Sequence, residues 1–304
     1  MTERVLTDQG EDHSEKKRLA ALFAMVALAV APLFLGRDVP EPAPDIPLTA
    51  ELPDIGPLPD FAAIDDVEVM KSAFFDYLLP VVEAQNSWIL DNRHYLIDLR
   101  DRLQTGQELQ ASDRIRLAVL AERYRVELSE AMDTASLSAL LMRVDIIPPS
   151  LALAQAASES GWGRSRFARE ANNLFGEWCY REGCGLVPAR RIEGARHEVT
   201  LFDAVPAAVD SYFRNLNSHP AYESLRQLRA EAREEHDFLL GTQLVGGLGF
   251  YSERRDAYLE ELRAMIRINK LLELDLSEEA EVELERLDEE TLDDQHDDTV
   301  AVLP

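Results

Sequence analysis

A chain of 304 residues with 46% hydrophobic content has the apolar material for one large domain plus accessory segments, or for two small domains. Its net charge of −26, with no clustered run of Lys and Arg in the body of the chain, excludes a nucleic-acid-binding protein. The two cysteines come with no CxxC pair or histidine cluster, so neither a metal site nor a cofactor is expected.

Residues 1–18 are polar and are expected to stay in the cytoplasm. Lys16-Lys17-Arg18 then precedes an uncharged run within residues 19–36. Seventeen residues from Leu19 to Leu35, at about 1.5 Å each, span about 26 Å, close to a thin bilayer. The basic flank keeps the N-terminus inside, so a single-pass signal anchor in a bacterial inner membrane is expected, with the rest of the chain in the periplasm. Ala29-Val30-Ala31 offers a signal-peptide cleavage site, but Pro32 directly after it disfavours cutting there. Residues 37–62 hold seven of the chain's fifteen prolines and read as an extended spacer.

Residues 63–146 carry helical periodicity and are expected to form an accessory region packed on residues 147–274. Val69, Ala73, Phe74, Tyr77 and Leu78 make one stripe, which Val81, Val82 and Trp88 continue past a kink or break at Pro80. Leu96, Leu99 and Leu103 extend it to Gly106. Ser112 caps a helix expected to run to about Glu130, and a third covers Ala135 to Val144. His94 lies alone on a polar face and reads as a surface residue.

Pro148-Pro149-Ser150 starts the helix of greatest interest, because proline suits a first turn whose N–H groups have no partner. Leu151, Ala154, Ala157 and Ser158 form its close-packing stripe, and Gly161 suits the left-handed stop. Glu159 is then a lone acid at a helix end, above Ala152, Gln155 and Ala156. Burial among small groups raises a carboxyl pKa toward neutrality, as a general acid requires; the alternative is a solvated helix-end residue. Residues Leu174 to Phe202 lose helical period and read as a small β-lobe. In an oxidising compartment Cys179 and Cys184 would close a loop worth about 2 kcal/mol; in a reducing one they would be ordinary thiols. Helices resume at Val205 to Asn217, Tyr222 to Glu235, Leu240 to Leu248 and Arg254 to Leu274. Residues 275–304 are acidic and expected to be disordered.

Several short motifs follow one another along the chain. They are Ser158-Glu159-Ser160-Gly161-Trp162-Gly163, Asn172-Asn173-Leu174-Phe175-Gly176 and Glu177-Trp178-Cys179-Tyr180, followed by Gly183-Cys184-Gly185 and Pro188-Ala189-Arg190-Arg191. Tyr212 with Asn215-Leu216-Asn217, and Tyr251-Ser252-Glu253-Arg254, complete the set. The combination resembles the glucosaminidase domain of glycoside hydrolase family 73, in particular its Bax-type bacterial members, over about Phe74 to Leu272. The resemblance implies an α+β, mostly α, lysozyme-like catalytic domain at residues 147–274, with a small β-lobe and a sugar-binding cleft. It also implies an endo-β-N-acetylglucosaminidase that acts on peptidoglycan glycan strands with Glu159 as general acid. Glu193 is the expected second carboxylate, with Glu177, Glu182 and Glu198 as competitors; assistance by the substrate's N-acetyl group or an inverting water are other routes. Ser160, Trp162, Asn173, Phe175, Trp178 and Tyr251 are the expected substrate-binding residues, Tyr251 facing the glutamate. A wall-binding scaffold without turnover, and a muramidase or lytic transglycosylase, are the alternative readings.

Overall fold

The computed structural model describes residues 46–276, apart from 190, 192, 193, 195, 237 and 252–255. The expected anchor, the start of the spacer, most of the acidic tail and Glu193 therefore lie outside the described residues. None of the described helices is long and apolar enough to cross a membrane. The fold is α+β and mostly helical, with one small sheet.

Residues 46–62, expected to be free spacer, instead lie along the first helix. Ile46 is buried, Trp88 Nε1 donates to the Pro47 carbonyl at 2.8 Å, and the Tyr77 hydroxyl donates to the Gly56 carbonyl at 3.0 Å. Phe61 closes the segment in a turn of 3-10 helix (Phe61–Ala63) and packs edge-on against Phe74. Prolines extend this stretch, but apolar side chains spaced along it give it a surface to adhere to.

Helix α1 (Val67–Gln104) starts where the Asp66 carboxylate accepts from the amides of Glu68 and Val69. It runs through Pro80 without the expected break. Pro80 and Asp76, whose carbonyl loses its amide partner, are both exposed, so water can satisfy that carbonyl while Leu78, Val81 and Val82 keep the buried face continuous. Helices α2 (Ala111–Tyr124) and α3 (Thr134–Leu141) both end earlier than their periodicity predicts. Arginines capture the freed carbonyls. Arg143 donates to those of Tyr124 and Arg125, and Arg93 to those of Leu141 and Val144. His94 is exposed, as expected.

Helix α4 (Pro149–Ser160) is the centre of the molecule, with every residue from Ser150 to Ala157 buried. Around it come α5 (Arg166–Ala171), α6 (Val205–Ser218), α7 (Glu223–Glu235), α8 (Gly241–Leu244) and α9 (Asp256–Ile268). Between α5 and α6 lies an antiparallel sheet of β1 (Trp178–Cys179), β2 (Gly185–Leu186) and β3 (Glu198–Thr200), in the order β1-β3-β2. Trp178 and Leu186 both pair with Val199. The final expected helix stops at Ile268, because Lys270 turns left-handed before a last 3-10 turn at Leu271–Leu274.

The loop at 142–147 fixes the approach to α4. Asn86 of α1 both donates to and accepts from the backbone of Ile147, at 2.8 and 3.2 Å. Arg229 is buried, and its guanidinium donates to the carbonyls of Met142, Asp145 and Ile146 and to Asn217 Oδ1. The buried Asp145 carboxylate pairs with Arg93 and, through two nitrogens, with Arg233. Burial opposes its charge, but Arg229, Arg233 and Arg93 together hold its carboxyl below the usual range. Asp275, assigned by composition to the disordered tail, belongs to this core. It accepts from Ser150 N, Ser150 Oγ and Gly241 N.

Arg229→Met should cost about 3–5 kcal/mol in denaturant unfolding, because it strands buried carbonyls and removes one of Asp145's charge partners. The Asp145 contribution runs with pH in a stated direction: it is present above the unfolded aspartate value and lost as pH falls through the lowered native value. The variant should therefore lose less stability on acidification than the parent does. A loss under 1 kcal/mol would show that this network is dispensable.

Candidate active site

Glu159 lies half-buried in the last turn of α4, where Gly161 adopts φ 57° and ends the helix. The Tyr258 hydroxyl of α9 lies beside its carboxylate, whose charge helps push that phenol well above its ordinary value. The hydroxyl accepts from Gln155 Nε2 at 3.0 Å, and Gln155 Oε1 accepts from the Tyr212 hydroxyl at 2.6 Å. Gln155 is one turn before Glu159 on the same helix, so the two share a face. The chain Tyr212–Gln155–Tyr258 thus ties three helices together beside one carboxylate. Tyr251 stacks parallel to Tyr258 with centroids 5.8 Å apart, and its hydroxyl donates to the Phe175 carbonyl at 2.7 Å.

Four phenols surround this acid and all resist ionisation. Burial, followed by nearby charge that includes Glu159 in every case, pushes Tyr222 up to about 12 and Tyr212, Tyr251 and Tyr258 well above the ordinary tyrosine value. Each remains a donor across the pH range in which a protein is folded.

The carboxyl end of Glu159 meets the β-lobe at Gly176: a Cβ on that glycine would sit 3.8 Å from Glu159 Oε2. The next residue is Glu177. Its backbone is clamped by Asn173, whose amide donates to the carbonyls of Glu177 and Thr200 and whose Oδ1 accepts from Glu177 N, all at 3.0 Å. Glu177 Oε2 accepts from Ser211 Oγ at 2.8 Å, while its Oε1 is buried with no hydrogen-bond partner among the described residues. Burial pushes this carboxyl up to about 7, against the opposing pull of Ser211 and Arg214. Glu177 and Glu159 both bear on Tyr212 and Tyr222.

The other described acids of the lobe are spoken for or exposed. Glu198 is buried and accepts from the amides of Gly183 and Gly185 at 3.2 and 2.9 Å, which hold its carboxyl below the usual range. It anchors the turn that the Cys179–Cys184 disulfide closes. Both sulfurs of the Cys179, Cys184 and Glu198 cluster are bonded to each other, so it is no cation site. Glu182 is exposed.

Of the six residues expected to meet substrate, four are committed to the protein itself. Ser160 is buried, donating to the Ala156 carbonyl and accepting from Gly163 N. Asn173 is the clamp just described. Phe175 is buried and stacks on Tyr212 at 4.0 Å. The Trp162 ring packs against Phe74 and Phe75 of α1. These types sit equally well in a core or a cleft. Trp178 is 57% exposed, stacked on His197 at 4.3 Å, and is the indole that offers a free face. Tyr251 is half-buried beside Glu159. Tyr258 was missed because its place in the amphipathic stripe of α9 reads as core; its hydroxyl gives no signal in the sequence.

Comparison with known proteins gives the family. The sequence model of the Glucosaminidase family, described as mannosyl-glycoprotein endo-beta-N-acetylglucosaminidase, matches residues 135–271. Protein bax of Escherichia coli (strain K12) is 35% identical over 215 residues, covering 71% of this chain and 75% of that protein. Among solved structures, the catalytic domain of the autolysin Auto from Listeria monocytogenes is 17% identical, with a TM-score of 0.30 over 59% of this chain and 97% of that one. The chain belongs to the glucosaminidase family. It is thereby an enzyme of the glycosidase type.

The Glu177 carboxyl generates a stability prediction with a definite sign. Its native value of about 7 lies above the ordinary 4.5, so the folded state binds the proton more tightly. Its contribution is present at low pH and lost as pH rises through about 7. Glu177→Gln should flatten the change in unfolding free energy between pH 4.5 and 7 and stabilise the protein at pH 8. An unchanged pH slope would mean that the carboxyl is solvated.

Proposed function

We propose that the protein is a peptidoglycan hydrolase, an endo-β-N-acetylglucosaminidase that cleaves the β-1,4 linkage after N-acetylglucosamine. The observation that carries the reading is the Glu159 carboxyl, beside Tyr258 and against Gly176 of the β-lobe, within the family-matched segment. Glycoside hydrolysis needs an acid to protonate the leaving oxygen and a second group to handle the oxocarbenium-like centre. The Glu159 carboxyl carries the proton to be donated. Glu177 takes the second role in its ionised form, as the base for a water or as a charge stabiliser. Its support is the buried Oε1, without a hydrogen-bond partner among the described residues, one residue from Gly176. Trp178 supplies a flat face for a sugar ring.

The location belongs to the same proposal. Residues 19–36 anchor the chain in the bacterial inner membrane, and the catalytic part works in the periplasm. The charged flank and apolar run in the sequence support this, as does the Cys179–Cys184 disulfide, a bond that persists in oxidising compartments.

Purified glycan strands incubated with the full chain should yield a reducing-end N-acetylglucosamine. A reducing muramic acid, or its anhydro form, would identify a muramidase or lytic transglycosylase instead. No product would leave a wall-binding scaffold. Glu159→Gln should keep the fold and lower kcat by the 10²–10⁴-fold typical of a lost general acid; a smaller loss would remove it from that role. On a soluble glycan, the kcat/KM profile should carry a limb near pH 7 set by the ionisation of Glu177. The residual activity of Glu177→Gln should lack that limb.

A further inference from the structure

The turn after Glu159 is built of three successive left-handed residues: Gly161 (φ 57°), Trp162 (φ 61°) and Gly163 (φ 71°). Glycine adopts that conformation freely, but an indole-bearing residue does so only when its surroundings impose it. The surroundings here come from far earlier in the chain. The Trp162 ring lies 5.8 Å from the Phe74 ring and 5.2 Å from that of Phe75, both edge-on, with Lys71 Nζ over it at 5.9 Å. Gly163 is pressed against Phe61, so that a Cβ would stand 2.8 Å from Phe61 Cδ2 and 3.4 Å from Phe74 Cε2. Phe61 is itself held by Phe74 at 5.4 Å and Tyr77 at 6.1 Å, and Tyr77 is tied at Gly56 to the strap that residues 46–62 form along α1. From inside the turn, Ser160 Oγ accepts from Gly163 N and the Ala157 carbonyl accepts from Trp162 N.

These outer supports all precede residues 135–271, the segment the family model covers. We infer that the strap ending at Phe61 and the opening turns of α1 are part of the catalytic apparatus, with Phe61, Phe74 and Trp162 as positioning residues that set the Glu159 carboxyl through the left-handed turn. The inference rests on Glu159 being the proton donor. Its physical basis is that a turn with one residue in an unfavourable region has a more relaxed alternative. Packing from outside decides which is populated, and an acid misplaced by about 1 Å can lose about 10²-fold in rate.

The test compares two core truncations in the full chain, assayed on soluble glycan strands well below both melting temperatures. Phe61→Ala removes the support of the turn. Leu99→Ala removes a buried side chain of the same helix 25 residues beyond Phe74, about 37 Å along its axis. Phe61→Ala should lower kcat about 10- to 100-fold with KM little changed. It should also shift the limb on which activity falls with rising pH. Leu99→Ala should lose stability yet keep both. Phe61→Leu, which fills the space without the ring edge, should fold and show the same shift at smaller amplitude, and it carries the test if the alanine variant does not fold. Equal kcat and pH limbs in the Phe61 and Leu99 variants would overturn the inference. Glu159→Gln separates the two levels. If it is inactive while Phe61→Ala behaves like Leu99→Ala, only the positioning role falls; if it is active, the assignment of Glu159 falls first.

Discussion

The structure depends on burying one short helix on every side. Helix α4 gains its place from small and aliphatic residues that allow other helices close, but a buried helix cannot leave its terminal backbone groups to water. Each end is therefore tied by polar groups from distant parts of the chain. At the N-terminal end, Asp275 accepts from Ser150, and Asn86 clamps Ile147. Arg229 and Asp145 lock the loop that leads in. At the C-terminal end, Ser160 and the left-handed turn do the same work. The acid that ends such a helix inherits its rigidity.

That rigidity is matched by an unusual local electrostatic setting. Four tyrosines, raised above their ordinary values, crowd Glu159 with neutral hydroxyl groups. Glu177 bears on two of the same phenols and has Ser211 as a hydrogen-bond partner, with Arg214 and Asp210 nearby. Environments that differ in this way are how one fold assigns separate roles to like groups.

Much of the framework was legible in the sequence. Helical periodicity, the Pro148-Pro149 start and the Gly161 stop located α4 and put Glu159 at its end, because these are local signals read by neighbouring backbone. The β-lobe followed from lost periodicity and clustered glycines. Helix ends were less legible where the carbonyls were taken by Arg93, Arg143 and Arg229, whose reach across 18 to 87 positions has no local trace.

By itself the sequence determined the helical class, the central helix, the acid at its end and the two cysteines of the lobe, each set by residues near one another in the chain. Only the tertiary structure decided how the described acids of the lobe are bonded, which aromatics are core, and where the accessory region begins. Glu177 and Glu198 are both glutamates in one short lobe. One is left with a buried oxygen that has no hydrogen-bond partner among the described residues, and the other is spent on two backbone amides. Residues 46–62 read as spacer from their prolines, yet Phe61 is buried against a glycine about a hundred positions away. The reason is the same in both cases. Local pattern fixes which face of an element is apolar, whereas the partner that covers it is chosen by the packing of the whole chain.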